Sequence, residues 1–244
     1  MTKTAFVAIV GKPNVGKSSL LNKMLGQKIA IVSSKPQTTR TKIMGVLTKG
    51  ETQLVFTDTP GFHKAHNKLG EKMNEAVGDT VGGVDACLFL TEPRGELNEQ
   101  ELQLLEMFKK QKMPVILAIN KIDMINDKEE LFKRIVYLTS FYDFTAVVPV
   151  SATEGDHVDE LIDELDKLAF ESPHFFPDDT LTDQPERVLA AEIIREKILR
   201  LMDKEIPHGI AVAVEKMRER DDKDILDIDA TIYCERCLLY TSPS

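Results

Sequence analysis

The first 170 residues alternate between two patterns of apolar residues. Five short runs are almost continuously apolar, at 4–10, 52–58, 85–91, 114–120 and 145–151. Runs of about seven β-forming residues are typical of strands buried on both faces of a parallel sheet. Apolar residues recur at helical spacing in the intervening segments 17–26, 68–83, 98–111, 128–142 and 157–170. This alternation predicts an α/β fold, with a parallel sheet covered by helices on both faces.

The pattern changes after residue 171. The span 171–187 contains three prolines, which is typical of a linker. Beyond it, residues 188–205 have the spacing of an amphipathic helix, and 208–219 and 224–236 alternate as strands do. We therefore predict a first domain, a linker and a smaller, partial α+β domain, over residues 1–171, 172–186 and 187–236.

Composition and charge limit the classes of function. Apolar residues make up 42% of the chain and charged residues 29%, as in a globular protein with a sizeable core. The formal net charge of −9 argues against a generally basic nucleic-acid binder, because affinity for phosphates needs clustered Lys and Arg. Any contact with RNA must therefore be local.

The location of the protein is expected to be cytoplasmic. No apolar run approaches the roughly 18 residues of a membrane span, and the N-terminal residues continue into a predicted strand rather than a signal peptide. Three cysteines are too few for a disulfide framework. Cys234 and Cys237 have the spacing of metal ligands, but no second pair completes a site, and we interpret them as structural or accidental.

Residues 11–18 read GKPNVGKS and match G-x-x-x-x-G-K-[ST] between a predicted strand and a predicted helix. Gly11 and Gly16 allow the backbone to wrap around phosphate groups with its amides pointing inward. Lys17 is expected to reach the β and γ phosphates, and the Ser18 hydroxyl to bind magnesium. The predicted phosphate-binding loop comprises Gly11, Lys12, Pro13, Asn14, Val15, Gly16, Lys17 and Ser18.

A second motif, NKID at residues 120–123, selects guanine. It ends the fourth predicted strand of the nucleotide domain, at the edge where open α/β sheets bind ligands. Asp123 can accept two hydrogen bonds from the guanine ring nitrogen and the exocyclic amine, Asn120 would brace the loop, and the stem of Lys121 would cover the base. After the next strand, the Ala152 amide could donate to the guanine oxygen. The predicted base-binding set is Asn120, Lys121, Ile122, Asp123, Ser151 and Ala152.

The sequence DTPGF at residues 58–62 is predicted to sense the γ phosphate. Asp58 would hold magnesium through water, and the Gly61 amide would contact the phosphate when it is present. A threonine of the loop at 36–41 would also bind magnesium, and we favour Thr39 over Thr38. The predicted nucleotide contacts in this motif are Asp58, Thr59, Pro60, Gly61 and Phe62.

The residue after Asp-x-x-Gly raises a question about catalysis. Many GTPases have a glutamine there that positions the attacking water, but this chain has Phe62, whose benzyl group cannot orient water. Either the chain does not hydrolyse nucleotide, or another group supplies the catalytic help.

The motifs at 11–18, 37–40, 58–62, 120–123 and 150–152 together resemble the Era family of bacterial GTPases, in the TrmE–Era–EngA group. The resemblance covers residues 3–236. It implies a Ras-like P-loop GTPase domain, with a mixed, mostly parallel sheet and helices on both faces, followed by a type II KH domain. It also implies GTP hydrolysis and a role in maturation of the small (30S) ribosomal subunit, with binding near the 3′ end of small-subunit ribosomal RNA. The resemblance also suggests peripheral contact with the inner face of the cell membrane, and we expect the protein to be a monomer.

The resemblance also answers the question about Phe62. The wider group has a hydrophobic residue at this position, and its members often use potassium held partly by the loop asparagine, here Asn14. A potassium ion there would take the place of an arginine finger. We therefore expect intrinsically slow hydrolysis, stimulated by potassium or a ribosomal partner. The predicted catalytic residues are Asn14, Lys17, Thr39 and Gly61, and the predicted magnesium ligands are Ser18, Thr39 and Asp58.

The C-terminal part departs from the family pattern. No G-x-x-G loop, which clamps nucleic-acid backbone in KH domains, follows residue 185. Residues 186–236 contain 10 Lys or Arg against 13 Asp or Glu. We expect residues 237–244 to be a non-native tail, and the alternative is a natural short form that has lost RNA binding. RNA binding is thus open for this chain.

Two other functions stay open. One is a nucleotide-gated binding module whose output is RNA affinity and in which hydrolysis only resets binding. The other is a related GTPase that acts on transfer RNA. A variant that lost hydrolysis but kept ribosome assembly would favour the module.

Overall fold

The computed structural model of the protein describes residues 1–32, 43–59, 80–201, 210–220 and 223–234. The chain forms two units. The first comprises Met1–Ala30 and Thr39–Asp183, and the second comprises Ile31–Thr38 and Gln184–Ser244. Each unit contains its own sheet.

The first unit is built on a mixed sheet of seven strands in the described residues. They are β1 (Lys3–Val10), β2 (Ile43–Lys49), β3 (Thr52–Asp58), β4 (Ala86–Thr91), β5 (Val115–Ile119), β6 (Ala146–Pro149) and β7 (Phe170–Glu171). The order is β2-β3-β1-β4-β5-β6, and β7 pairs with the start of β1. Pairing is parallel from β3 through β6, whereas β2 and β7 run antiparallel to their neighbours. The predicted α/β fold is confirmed.

Four α-helices of the first unit lie within the described residues. They are α1 (Lys17–Leu25), α2 (Glu99–Gln111), α3 (Lys128–Thr139) and α4 (Val158–Asp166). The start of α2 is fixed by a capping box, in which the Asn98 side chain accepts from the Glu101 amide and the Glu101 carboxylate accepts from the Asn98 amide. The end of α1 is marked by Gly26 in a left-handed conformation, with φ of 66°.

The core explains why the parallel strands are continuous apolar runs. Every residue of β3, β4 and β5 is buried, since these strands are covered on both faces. On one face, Phe89 of β4 contacts the rings of Phe108 and Phe144, with centroids 6.4 Å away in each case. Because the strands are parallel, their carboxyl ends meet at one edge of the sheet, where ligands bind in open α/β folds.

The predicted linker is attached to the sheet of the first unit. Gln53 of β3 is fully buried, and its Oε1 accepts from the amides of Phe175 (2.9 Å) and Phe176 (3.0 Å). Its Nε2 donates to the carbonyl of Phe176 at 2.9 Å. The first unit therefore runs to Asp183, past the predicted boundary at residue 171.

His174 gives this attachment a dependence on pH. Its ring nitrogens contact Asp178 Oδ1 at 2.6 Å and the Glu51 carbonyl at 3.0 Å. The hydrogen bond with Asp178, followed by that with the Glu51 carbonyl, raises the pKa of His174 above its ordinary value. A raised pKa in the folded state stabilises the fold below the unfolded pKa of about 6.5, and this contribution is lost as the pH rises through the folded value.

We therefore expect His174→Gln to lower the melting temperature more at about pH 5.5 than at about pH 8.5. Thermal unfolding followed by circular dichroism at both pH values measures the difference. Asp178→Asn is the control, because it removes the carboxylate and should reduce the pH dependence while leaving the imidazole in place. An equal loss at both pH values would contradict the prediction.

The second unit contains one helix and a two-stranded antiparallel sheet in its described residues. These are α5 (Glu186–Leu201), β8 (Ile210–Arg220) and β9 (Lys223–Cys234). The pairing of β8 with β9 is irregular between Val214 and Lys216, where an extra residue in one strand is typical of a β-bulge. The apolar side chains of Ile232 and Tyr233 on β9 are more than half exposed. The predicted α+β composition of this part is confirmed.

Candidate functional site

The loop between β1 and α1 has a conformation that requires its two motif glycines. Gly11 and Gly16 have φ of 149° and 100°, a region that side chains disfavour. A Cβ atom at Gly11 would also collide with the Leu90 carbonyl, and one at Gly16 with the side-chain amide of Asn120. The loop can therefore pass close to β4 and to the loop after β5 only with glycine at both positions.

Lys17 is the first residue of α1, and its amine is buried in this loop. Its Nζ donates to the carbonyls of Gly11 (3.1 Å) and Lys12 (3.0 Å). Burial lowers the pKa of Lys17 to about 8, although the negative charges of Asp58 and Glu101 act in the opposite direction. A buried cation among backbone groups at a helix N-terminus is suited to binding an anion such as phosphate.

Ser18 and Asp58 bring a hydroxyl and a carboxylate together next to this lysine. The Ser18 hydroxyl donates to Asp58 Oδ2 at 2.6 Å, and Asp58 is fully buried. Burial raises the pKa of Asp58 to about 6, against the lowering effects of Lys17 and the Ser18 hydrogen bond. Asp58 Oδ1 is buried without a hydrogen-bond partner among the described residues. A hydroxyl and a carboxylate with an unsatisfied oxygen fit a magnesium ion, which prefers oxygen ligands.

Thr59 anchors the start of the DTPGF motif. Its hydroxyl donates to the Ile9 carbonyl at 2.8 Å, so the side chain is engaged with β1. Pro60, Gly61 and Phe62, the other predicted residues of this motif, lie outside the described residues. Thr39, the predicted magnesium ligand of the upstream loop, also lies outside them. Predictions for Pro60, Gly61, Phe62 and Thr39 therefore stay predictions.

Asn120 joins three loops at the edge of the sheet. Its Nδ2 donates to the Val15 carbonyl at 2.7 Å, and its Oδ1 accepts from the Ala152 amide at 2.9 Å. This side chain therefore braces the phosphate loop against the segments that follow β5 and β6, as the motif predicts. The Ala152 amide, which we expected to donate to the guanine oxygen, is engaged with Asn120 in this structure.

Asp123 lies in a short 3-10 helix, Ile122–Met124, directly after β5. Its Oδ1 accepts a hydrogen bond from the Ser151 hydroxyl at 2.6 Å, which fixes the orientation of the carboxylate. Asp123 is exposed at the sheet edge. An oriented carboxylate can accept from two adjacent N–H groups, and guanine presents such a pair on its ring nitrogen and amine.

Glu92, which the motifs did not indicate, connects the phosphate loop to the base-binding motif. It follows β4, and its carboxylate oxygens contact Lys12 Nζ at 2.7 Å and Lys121 Nζ at 2.5 Å. Lys121 Nζ also donates to the Asn14 carbonyl at 2.8 Å. The sequence signal that could have identified Glu92 is its position as a charged residue directly after a buried strand, at the ligand-binding edge.

Arg134 of α3 holds the segment after β4 and was also not predicted. It is buried, and it donates to the Glu92 carbonyl (3.0 Å), to the Thr91 hydroxyl (2.9 Å) and to the Gly95 carbonyl. Burial lowers the pKa of Arg134, with nearby Tyr137 and acidic residues acting in the opposite direction. Its three donors fix the backbone from which Glu92 projects.

Comparison with known proteins identifies the family. A family model described as "50S ribosome-binding GTPase" matches residues 6–121. GTPase Era of Clostridioides difficile strain 630 is 49% identical over 236 residues, which are 97% of this chain and 80% of the relative. The chain belongs to the Era family of GTPases. GTPase Era of Alkaliphilus metalliredigens is 47% identical over 235 residues, 96% of this chain and 79% of that relative.

Solved Era structures share the fold. A variant of Aquifex aeolicus Era bound to GDP and AlF4⁻ superposes with a TM-score of 0.87 at 38% identity, over 95% of this chain and 79% of that one. Era in complex with MgGDPNP and nucleotides 1506–1542 of 16S ribosomal RNA gives the same TM-score, identity and coverage. The resemblance to the Era family, the GTPase fold with a partial KH domain and the GTP-hydrolysing activity are thereby confirmed.

The location of the protein stays a prediction. No described helix has both the length and the apolar character of a membrane span. Cytoplasmic location, peripheral membrane contact and a monomeric state are not tested by the Era comparisons.

Proposed function

We propose that this GTPase binds GTP and GDP with magnesium at the site described above, and that it binds small-subunit ribosomal RNA as an assembly factor of the 30S subunit. The observation that carries the nucleotide assignment is the Asn120 side chain, which joins the phosphate loop at Val15 to the base-binding segment at Ala152. The relative bound to MgGDPNP and 16S ribosomal RNA supports the choice of cation and RNA.

The residues of the site divide the work of binding. Lys17 and the backbone amides at the start of α1 neutralise and orient the phosphates. Ser18 and Asp58 would hold magnesium, which when bound supplies positive charge to the phosphate oxygens. Asp123, oriented by Ser151, selects guanine because adenine lacks the pair of N–H groups that its carboxylate accepts.

Catalysis in this proposal depends on electrostatic stabilisation rather than on a glutamine at position 62. Asn14 has a left-handed backbone, with φ of 63°, and its carbonyl accepts from Lys121. This fixed geometry supports a role for the Asn14 region in holding potassium near the phosphates. Phosphoryl transfer relies mainly on positioning and charge, so one additional cation can supply the missing help.

Phosphate release in potassium chloride and in sodium chloride tests this part of the proposal. We expect faster hydrolysis in potassium, and we expect Asn14→Asp to alter that difference. Equal rates in the two salts, with no effect of the substitution, would remove potassium from the mechanism. Magnesium dependence is measured separately, by adding a chelator, and hydrolysis should then stop.

Binding of an RNA with the sequence of the 3′ end of 16S ribosomal RNA tests the RNA assignment. The titration is done with a GTP analogue and with GDP, and transfer RNA serves as the competitor. Stronger binding with the analogue would support the assignment. The lack of net positive charge in residues 186–236 predicts a shallow salt dependence. Binding that transfer RNA displaces equally well would contradict the ribosomal role.

A further inference from the structure

The carboxylate of Glu92 is shared by two lysines from different motifs. One oxygen contacts Lys12 of the phosphate loop and the other contacts Lys121 of the base-binding motif. The three side chains are only a quarter to a third exposed. Hydrogen bonds between charged groups at 2.5–2.7 Å are at the short, strong end of those in proteins. Glu92 therefore links the two halves of the nucleotide site.

This link is distinct from the one through Asn120. Asn120 reaches the phosphate loop at Val15, whereas Lys121 reaches it at Asn14 and, through Glu92, at Lys12. Two separate connections hold the relative position of the loops more strictly than one. Small displacements in a site that must contact both phosphates and a base have large effects on affinity.

The backbone of Glu92 is itself held in place. Arg134 donates to the Glu92 carbonyl and to the preceding Thr91 side chain at 3.0 and 2.9 Å. Because Arg134 is buried and lies on α3, the carboxylate projects from a segment anchored to a helix. Burial acts to raise the pKa of Glu92, but hydrogen bonds from Lys12 and Lys121 outweigh it and lower the pKa. The carboxylate is therefore ionised at neutral pH.

We infer that Glu92 is a positioning residue for guanine-nucleotide binding, which holds Lys12 and Lys121 so that the phosphate loop and the base-binding motif keep their spacing. The inference rests on the nucleotide binding proposed for this site. It adds to the family motifs a residue that touches neither phosphate nor base and acts through the two lysines.

Glu92→Gln is the main test, because glutamine keeps the shape but loses the charge. One end of the amide would be an NH₂ group facing a lysine, so only one lysine could stay bound. We expect GDP labelled with a fluorescent methylanthraniloyl group to dissociate about tenfold faster from this variant, which corresponds to about 1.4 kcal/mol.

The matched control is Glu130→Gln. Glu130 forms a bidentate pair with Arg94 on the exposed surface, at 2.5 and 3.0 Å, and neither lysine takes part in this pair. The chemical change is the same, but we expect dissociation within about twofold of the unmodified chain, since exposed ion pairs contribute little. Glu92→Asp, which keeps the charge with a shorter reach, should recover part of the lost residence time.

A double-mutant cycle separates positioning from a general effect on the fold. If Glu92 acts through Lys121, Glu92→Gln should change the rate of GDP dissociation much less in the Lys121→Met variant than in the unmodified chain. The melting temperature of each nucleotide-free variant shows whether it is folded. If Glu92→Gln does not fold, the comparison of Glu92→Asp with Lys12→Met serves in its place, and both are expected to shorten the residence time of GDP.

Three outcomes would overturn the inference. The first is an unchanged rate of GDP dissociation from Glu92→Gln. The second is slower GDP dissociation, caused by removing a negative charge near the phosphates. The third is strict additivity of the effects of Glu92→Gln and Lys121→Met on the dissociation rate. A different result, failure of the unmodified chain to bind GDP, would contradict the proposed function itself. The two failures are therefore distinguishable in the same experiment.

Discussion

Lys17→Ala is expected to abolish measurable GTP hydrolysis and to weaken GTP binding by about 100-fold or more. A lysine amine that contacts two phosphates makes charge-assisted hydrogen bonds worth about 1.5–3 kcal/mol each, and about 1.4 kcal/mol is a factor of ten in affinity. In the structure this amine is buried, and it donates to the carbonyls of Gly11 and Lys12. It is therefore already directed into the loop where the phosphates would bind.

The same substitution should not unfold the protein. Burial lowers the pKa of Lys17 to about 8, so the fold disfavours the charged amine at neutral pH. The pKa of Lys17 is about 10.4 in the unfolded chain and about 8 in the folded one. Stability is therefore greatest above about pH 10.4, where the amine is neutral in both states, and it is lost as the pH falls through about 8 and the buried amine becomes charged. Removing the charge therefore relieves a cost to folding at neutral pH.

Calorimetric titration with a non-hydrolysable GTP analogue and a phosphate-release assay measure the two losses. Lys23→Ala is the matched control, because Lys23 lies on the same helix, is exposed and donates to the Glu154 carbonyl at 3.4 Å. The control should bind and hydrolyse GTP as the unmodified chain does. Hydrolysis by Lys17→Ala within tenfold of the unmodified rate would show that another group neutralises the phosphates.

Asp123→Asn is expected to change the preferred base from guanine to xanthine. Asp123 offers only acceptor oxygens to the base, whereas asparagine has one acceptor and one donor. The guanine amine would then face a donor, but xanthine has an oxygen at that position and restores the pair. Sites that bind a ligand through such hydrogen bonds discriminate strongly against a mismatched analogue. We expect GDP affinity to fall by about 100-fold and xanthosine diphosphate affinity to rise.

Competition between the two diphosphates for the same labelled nucleotide measures this change. Asp127→Asn is a matched control, because Asp127 caps α3 by accepting from the Glu129 amide at 2.8 Å, and asparagine caps helices about as well. The control should keep the preference for guanine. Loss of GDP binding without any gain for xanthosine diphosphate would mean that Asp123 orients the loop instead of contacting the base.

Short sequence motifs identify the residues whose role is set by the conformation of the neighbouring backbone. Gly11 and Gly16 are recognisable because only glycine adopts their φ values next to Leu90 and Asn120. The spacing of the phosphate loop then fixes Lys17 at the start of a helix. The edge of the sheet at which these residues meet follows from parallel strands, which the apolar runs predict.

The residues and strands that the sequence does not reveal depend on distant partners. β2 is an edge strand whose Gly45 contacts side chains of α1, and a Cβ there would approach Leu21 and Leu25 to within 3 Å. Because β2 lies at the edge of the sheet, its sequence lacks the continuous apolar pattern of the buried strands. Gly50, in the turn after β2, is the signal that could have indicated a hairpin. Arg134 reads as a surface charge on a helix, and only the tertiary structure shows that it is buried against the segment that carries Glu92.

The buried amide of Gln53 constrains where the second unit of this chain can be exchanged for that of a relative. A recombination point at residue 171 would replace the segment that contains Phe175 and Phe176, whose backbone groups satisfy that amide. Each buried polar group left unsatisfied costs about 1–3 kcal/mol, a large part of the stability of a typical domain. Recombination between Asp183 and the start of α5 at Glu186 keeps these bonds, so functional chimaeras between relatives are expected to have their junctions there.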